Sequence, residues 1–157
     1  MVFEEIYAQY APKIFRLCMG YVNDHEHAQD LTQETFIAVW QHLSSFRQES
    51  AIGTWIFRIA SNNCLRSMER KKRVTHVELP VHLEEIREET KEEKLQLLYR
   101  CIAELEETER IIISLVLEDL PQAEIAAIVG LSDGNTRVKI HRIKEKLSQK
   151  MKQHGQF

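Results

Sequence analysis

Residues 121–150 constrain the fold of this 157-residue chain more than any other segment. Apolar side chains at helical spacing predict a short helix over residues 122–129. Gly130 follows, where a helix end favours a left-handed backbone, and Ser132 offers its hydroxyl as the N-cap of a second helix. Two helices joined by a glycine-containing turn, the second with a basic outer face, are typical of a DNA-reading helix-turn-helix, although a merely solvated basic face is the alternative. The outer face carries Arg137, His141, Arg142 and Lys144.

The apolar pattern of the remaining chain predicts an all-α fold. Hydrophobic residues make up 43% of the sequence, enough for packed cores, and β-branched residues form no alternating runs. Pro12 should kink or split the first helix, and Asp24 and Thr108 offer N-caps for the second and the fifth. The expected helices span residues 3–21, 24–43, 54–72, 94–105 and 109–118. The apolar contacts expected from the second helix are Leu31, Phe36, Val39, Trp40 and Leu43.

Charge is distributed unevenly, although the formal net charge is only -3. Residues 66–73 hold five basic side chains and one acid, and residues 137–152 hold seven bases and one acid. Residues 78–93 between them hold seven acids and two bases, which is typical of a linker. The sequence therefore predicts two small helical domains, residues 1–73 and 94–157, joined by a flexible acidic linker over residues 74–93.

Cysteine and histidine usage predicts neither a metal site nor a cofactor. Cys18, Cys64 and Cys101 are far apart and odd in number, which favours buried free thiols in a reducing cytoplasm. No histidine pairs with a cysteine at zinc spacing. The sequence shows no signal peptide, no apolar run long enough for a membrane span, and no phosphate loop or nucleophile motif. We therefore expect a cytoplasmic protein that is not an enzyme, with no catalytic residue and no membrane insertion.

The helix predicted over residues 54–72 carries a polar, mostly cationic stripe. Its members are four residues apart and therefore share one face: Arg58, Asn62, Arg66 and Arg70. Phe46 and Trp55 lie nearby in sequence, and cationic grooves with aromatic side chains suit the unstacked bases of opened DNA. A solvated face is the alternative for the stripe taken alone. The side chains expected to be buried are Trp55, Ile56, Ile59 and Asn63.

Asp30 and Glu34 place two carboxylates four residues apart on one helix face, with Gln33 beside them. No His, Lys or Ser partner for acid–base chemistry is evident. A patch that docks on a basic surface of a partner suits these side chains better.

In order and spacing, these segments resemble the extracytoplasmic-function (ECF) RNA polymerase sigma factors of the sigma-70 family. The resemblance covers nearly the whole chain, and a lone helix-turn-helix regulator has no reason to carry the first half. In the first half it rests on residues 30–36, residues 54–62 and the basic run ending at Arg73. In the second half it rests on residues 105–110, 124–126, 130–132, 141–142 and 144–147.

The resemblance implies a non-catalytic transcription initiation factor built from sigma region 2 and sigma region 4. Region 2 would dock on the clamp helices of the polymerase β′ subunit through Asp30, Gln33 and Glu34, and would open the −10 promoter element. Phe46, Ile59 and Asn62 match positions that hold a flipped base, with Trp55 supporting the loop. The full set of −10 candidates is Phe46, Trp55, Arg58, Ile59, Asn62, Arg66 and Arg70.

Region 4 would bind the flap of the polymerase β subunit and read the −35 element. The candidates for this contact are Ser132, Asn135, Arg137, Val138, Lys139, His141 and Arg142. The acidic linker is similar to family linkers that thread the active-centre and RNA-exit channels of the polymerase. The family also implies an anti-sigma factor as a partner and no cofactor.

Some positions depart from the family pattern. Pro121 stands where a Ser or Thr cap is usual, so the first motif helix loses its capping box. Thr136 replaces a usual Val on the buried side, and its hydroxyl is expected to bond the carbonyl four residues back. Gly134 weakens the start of the recognition helix by roughly 1 kcal/mol. Val138 and His141 are not typical guanine readers, so no −35 sequence is inferred.

A stand-alone helix-turn-helix regulator is the alternative function, with the first half of the chain sensing a ligand or dimerising. Such a regulator binds a palindromic duplex without polymerase. The net charge of -3 and the acidic linker disfavour it.

Overall fold

The structure, a computed structural model, describes residues 2–48, 50–72 and 91–154, with the side chains of 68–72 and 91 left out. Within these ranges every regular element is helical, which confirms the predicted all-α class. The α-helices are α1 Phe3–Val22, α2 His25–His42, α3 Ile52–Lys72, α4 Lys91–Ala103, α5 Glu107–Leu117, α6 Gln122–Val129 and α7 Asp133–His154; a 3-10 helix spans Leu43–Ser45.

Helices α1, α2 and α3 pack together as a first helical unit. Asp24 caps α2 as predicted, because its Oδ1 accepts a hydrogen bond from the backbone N–H of His27 at 3.1 Å. Of the kink or split predicted at Pro12, the split is wrong, since α1 runs unbroken from Phe3 to Val22. Pro12 and the residue four positions before it, Ala8, are both exposed, so water can satisfy the carbonyl that the proline leaves without a donor.

Trp40, expected to supply an apolar contact of the second helix, packs against Phe3 but stays largely outside the core. This side chain is 64% exposed, whereas Leu31, Phe36 and Val39 of the same helix are buried. The reason is the helical phase, because the buried stripe of α2 passes through Phe36 and Val39 and turns Trp40 outward. Ile56 and Asn63 are buried as predicted, while Trp55 and Ile59 are only partly buried.

Helices α4 to α7 form the second unit, and α5 lies at its centre with residues Arg110–Leu115 buried. The prediction that Thr108 caps α5 is wrong, because the helix begins earlier, at Glu107. Instead, the side chain of Glu109 accepts a hydrogen bond from the backbone N–H of Glu106 at 3.2 Å. A carboxylate in the first turn is also favoured by the helix dipole.

The helix-turn-helix forms as the sequence predicts. Helix α6 covers residues 122–129, and Gly130 ends it in the left-handed conformation, with φ of 74°. Ser132 caps α7, because its Oγ accepts a hydrogen bond from the N–H of Asn135 at 3.2 Å. The buried Thr136 hydroxyl donates to the carbonyl of Ser132 at 2.8 Å, as expected.

The two units pack against each other. Helix α1 contacts α4 and α5, and α3 contacts α6. Most of the predicted linker lies outside the described residues, and its last three residues belong to α4, so the domain boundaries stay a prediction. All three cysteines are buried free thiols, and the sulfurs of Cys18 and Cys64 lie 3.8 Å apart. Among the described helices, none combines the length and apolarity that a membrane span requires.

Candidate nucleic-acid interface

The corner between α2 and α3 presents a stacked aromatic pair. The ring centroids of Phe46 and Trp55 lie 4.8 Å apart, with 30° between the ring planes. The 3-10 turn holds this corner, because the N–H of Phe46 donates to the carbonyl of Leu43 at 3.2 Å. The hydroxyl of Ser45 donates to the carbonyl of His42 at 2.9 Å. The turn and the indole together therefore position the Phe46 ring.

A cavity of about 760 Å³ opens beside this aromatic pair. Its basic side chains come from the first unit, and α6 of the second unit forms the opposite wall. The lining includes His42, Phe46, Arg47, Trp55 and Arg58 of the first unit and Ala123, Glu124 and Ala127 of α6. Cations, aromatic rings and an open cleft are the elements that hold a single strand of nucleic acid.

A second cavity, of about 290 Å³, lies further along α3. The buried amide of Asn63 donates to the hydroxyl of Thr35 at 3.4 Å, and its oxygen accepts a hydrogen bond from Nη2 of Arg66. This chain of contacts orients the Arg66 guanidinium. The lining consists of Ala38, His42, Trp55, Ile59, Asn62, Asn63 and Arg66.

The two cavities bring together six of the seven side chains predicted to contact the −10 element: Phe46, Trp55, Arg58, Ile59, Asn62 and Arg66. The seventh, Arg70, has a side chain outside the described set. Sequence reasoning missed His42, which lines both cavities. The signal that could have found it is its place at the end of the predicted second helix, four residues before the aromatic candidate Phe46.

The α2 face that carries Asp30, Gln33 and Glu34 is exposed, in agreement with a docking patch. Sequence reasoning missed the apolar continuation of this face. Ile37 is 56% exposed and Trp40 is 64% exposed, and they lie three and six residues beyond Glu34. The Trp40 ring also rests edge-on against Phe3, with 5.1 Å between centroids. This face of α2 therefore combines exposed acidic side chains with exposed apolar ones.

The outward face of α7 is exposed over the residues predicted to read DNA: Asn135, Arg137, Val138, Lys139, His141 and Arg142. Ser132 is exposed as well, but its hydroxyl serves as the helix cap. His141 Nε2 lies 3.2 Å from the carboxylate of Glu145. Arg137 and Arg142 are both exposed on the same helix, as contacts to a DNA groove require.

Away from its outward face, α7 is held by ion pairs to other parts of the second unit. Lys146 donates to Glu109 at 2.9 Å, and Lys150 donates to Glu104 at 3.3 Å. Burial favours the protonated form of Glu109, but hydrogen bonds from Lys146 and from the N–H of Glu106 outweigh it and lower the pKa of Glu109. These pairs fix the position of α7. No cluster of three or more His, Cys, Asp or Glu side chains in the described ranges is arranged to hold a metal ion.

Two protein families match this chain, one over each of its two units. Residues 6–74 match the family described as "Sigma-70 region 2", and residues 95–147 match "Sigma-70, region 4". The ECF RNA polymerase sigma-E factor of Escherichia coli is 33% identical over 165 residues, with 95% of this chain and 86% of the relative covered.

Further relatives carry similar names. The ECF RNA polymerase sigma factor SigM of Bacillus subtilis is 27% identical over 161 residues, with 94% of this chain and 93% of the relative covered. SigE of Mycolicibacterium smegmatis is also 27% identical, with 97% of this chain covered, and the match spans only 62% of that relative's length.

Two solved structures share the fold. One is the sigma factor RpoE in complex with the anti-sigma factor NepR from Bartonella quintana, with a TM-score of 0.79, 22% identity and 96% of both chains covered. The other is CnrH in complex with the cytosolic domain of CnrY, with a TM-score of 0.71, 22% identity, and 98% of this chain and 89% of that chain covered.

Proposed function

We propose that this chain, which belongs to the sigma-70 family and resembles its ECF members, recognises a promoter with both of its units, each of which contacts a different element. It binds core RNA polymerase and directs the enzyme to specific promoters, without catalysing a reaction itself. The observation that carries the proposal is that the chain has two DNA-compatible surfaces of different construction. One is a cationic cleft with stacked aromatic rings, and the other is an exposed helix of a helix-turn-helix.

The first unit captures the opened −10 element. Asn62 is exposed beside Ile59 and Trp55, so an unstacked base in that cavity meets an amide that both donates and accepts hydrogen bonds. Arg58 and Arg66 line the cavities from the same helix and supply positive charge for the backbone of the strand. Phe46, held by Trp55, provides the ring on which a base stacks.

The second unit reads the −35 element from α7. Arg137 and Arg142 are exposed on its outward face with Val138 and Lys139 beside them, and Ser132 and Asn135 form the helix start. Side chains on this face reach base edges and phosphates when the helix lies in the major groove. His141 is the remaining member of the reading set, with Glu145 as its neighbour.

The exposed face of α2 docks on core polymerase. Asp30, Gln33 and Glu34 offer acceptors to a basic surface of the β′ clamp helices, and Ile37 and Trp40 add apolar area at the same site. The second unit also binds the β flap. An anti-sigma factor is a further partner, which the complexed state of both structural neighbours supports.

Transcription in vitro with core polymerase, with and without this protein, tests the proposal. We expect promoter-specific initiation only when the protein is present. In the same assay Glu34→Arg should lose polymerase binding, while Glu92→Arg, the same charge change at an exposed position of α4, should retain it. Tight binding to a palindromic duplex without polymerase, together with no promoter selection, would refute the proposal in favour of a stand-alone regulator.

A further inference from the structure

The start of α3 meets α1 at a glycine. Gly53 is the second residue of α3, and the hydroxyl end of the Tyr10 ring, from α1, lies against it. A Cβ atom placed on Gly53 would lie 3.0 Å from the hydroxyl oxygen of Tyr10, 3.1 Å from its Cε1 and 3.3 Å from its Cζ. These distances are shorter than the optimal separation of about 3.5–4.0 Å between carbon atoms. The missing side chain at Gly53 therefore lets the two helices approach.

The backbone gives no other reason for a glycine at this position. Among the glycines in the described ranges, Gly130 is the one with a positive φ, so alanine could adopt the backbone conformation of Gly53. Glycine also weakens a helix relative to alanine. Gly134 offers a direct comparison, because it is the second residue of α7 and a Cβ placed on it would meet nothing within 4 Å. The contact with Tyr10 is thus what distinguishes Gly53.

The Tyr10 ring is itself held in place. It is partly buried and packs against the hydrophobic core. Nζ of Lys13 lies over the ring, 5.6 Å from its centroid, at a distance where a cation is attracted to a ring face. A ring restrained in this way sets the distance between α1 and the start of α3.

The start of α3 also forms one wall of the larger cavity, which Trp55 and Arg58 line. Two residues correspond to roughly 200° around a helix, so Trp55 projects from the side of α3 nearly opposite to the one that Tyr10 contacts at Gly53. Displacement of this helix start away from Tyr10 would therefore move Trp55 towards the cleft. The Phe46 ring, whose centroid lies 4.8 Å from that of Trp55, would lose its present support.

We propose that Tyr10 is a positioning residue for capture of the −10 element. Its ring, seated on Gly53, sets the separation of α1 and the start of α3, and so places Trp55 and Phe46 for an unstacked base. Tyr10 lines neither of the two cavities, so it acts through Trp55 and not by touching DNA. The inference rests on the proposed role of the first unit in binding opened DNA.

A compensating pair of substitutions tests the proposal in holoenzyme. Gly53→Ala should reduce opening of the −10 region, measured by the permanganate reactivity of unpaired thymines, by roughly two- to thirteen-fold, the range that loss of an aromatic contact produces. Tyr10→Leu/Gly53→Ala should recover most of the opening, because leucine lacks the three ring atoms that the new methyl group would meet. Binding to core polymerase should be unchanged in both variants. Unchanged opening in Gly53→Ala, or no recovery in the double variant, would overturn the proposal.

The fluorescence of Trp55 in the free protein provides a second measurement, which does not depend on promoter opening. The chain has two tryptophans, so Trp40→Phe leaves Trp55 as the only one. In that background Gly53→Ala should change the emission maximum and the acrylamide quenching of Trp55, and Tyr10→Leu/Gly53→Ala should restore both. If the fluorescence responds in this way and opening does not, the −10 assignment fails while the positioning by Tyr10 stands.

Gly134→Ala is the matched control, since it makes the same change at the same helical position without a neighbour to meet. It should leave Trp55 fluorescence unchanged and raise the melting temperature through helix propensity alone. Gly53→Ala should raise the melting temperature less than Gly134→Ala does, or lower it. Circular dichroism checks that all variants remain helical. Equal effects of the two substitutions on fluorescence and melting temperature would overturn the role of the Tyr10 contact.

Discussion

The stacked pair of Phe46 and Trp55 makes a quantitative prediction about promoter opening. Phe46 belongs to a short turn rather than to a long helix, and its ring is held by the indole at 4.8 Å. Removal of either ring should therefore impair capture of a −10 base, and removal of both should cost less than the two losses added together. The reason is that Trp55→Ala already releases the Phe46 ring, so Phe46→Ala then removes less.

The size of the coupling follows from the geometry. Aromatic pairs with centroids about 4.5–7 Å apart contribute about 0.5–1.5 kcal/mol beyond the area that they bury. The double-mutant cycle should show a coupling of that size, equivalent to roughly a two- to thirteen-fold difference in the equilibrium for opening. The 30° angle between the rings makes the contact tilted rather than edge-on, so both ring faces take part.

In the assay, holoenzyme reconstituted from core polymerase and this protein binds a promoter. Opening of the −10 region is then measured by the permanganate reactivity of unpaired thymines. Trp40→Ala is the matched control, since this second tryptophan is exposed on the face of α2 proposed to dock on polymerase. It should weaken polymerase binding and leave opening unchanged once polymerase is saturating. Trp55→Phe, which keeps a ring, should retain most of the coupling. Strictly additive losses in the cycle would refute the idea that Trp55 positions Phe46.

Three further predictions concern single side chains. Arg137→Ala should weaken −35 recognition by about 1–3 kcal/mol in a duplex binding assay if the arginine contacts a base, and an unchanged promoter preference and salt dependence would contradict this role. Asn62→Ala should impair −10 opening in the permanganate assay with polymerase affinity intact, and equal loss of both would make Asn62 structural. Glu109→Gln should make the free energy of unfolding less dependent on pH in the acidic range, as measured by urea unfolding at a series of pH values. Because Lys146 and the helix start hold the folded-state pKa of Glu109 below its usual value, its stabilising contribution is complete above the unfolded pKa of about 4.3 and is lost as pH falls through the folded value. Parallel pH profiles for wild type and variant would show that this pair contributes nothing.

Local patterns predict the helix-turn-helix almost residue by residue. Gly130, Ser132 and Thr136 behave as expected because their interactions reach only three or four residues along the chain. Local patterns are less successful at predicting which of two neighbouring apolar residues on a helix is buried. The apolar character of Trp40 predicts an apolar contact, which it makes with Phe3, but the phase of α2 places Val39 inside and leaves Trp40 largely exposed. For the same reason, the sequence pattern does not show that the exposed side chains of Ile37 and Trp40 continue the acidic face of α2.

The sequence predicts which residues belong to the candidate site, but it does not predict the cavities that these residues line. The spacing of Arg58, Asn62 and Arg66 places them on one helix face, and the cavities agree with that face. Spacing alone does not show that His42 lines both cavities. It also gives no sign that Glu124 of α6 lines one of them, because that cavity brings together residues far apart in the chain.

The sequence by itself determined the helical class, the two-part organisation and the basic surfaces, since each depends on local propensity, periodicity and the order of charges. Only the tertiary structure decided how the two units meet. The ion pair of Arg16 with Glu118 joins residues 102 positions apart, and the close approach of Gly20 to Ser114 has no local signal at all. Packing between distant helices depends on the shape and charge of both partners at once, and that information is not contained in either segment alone.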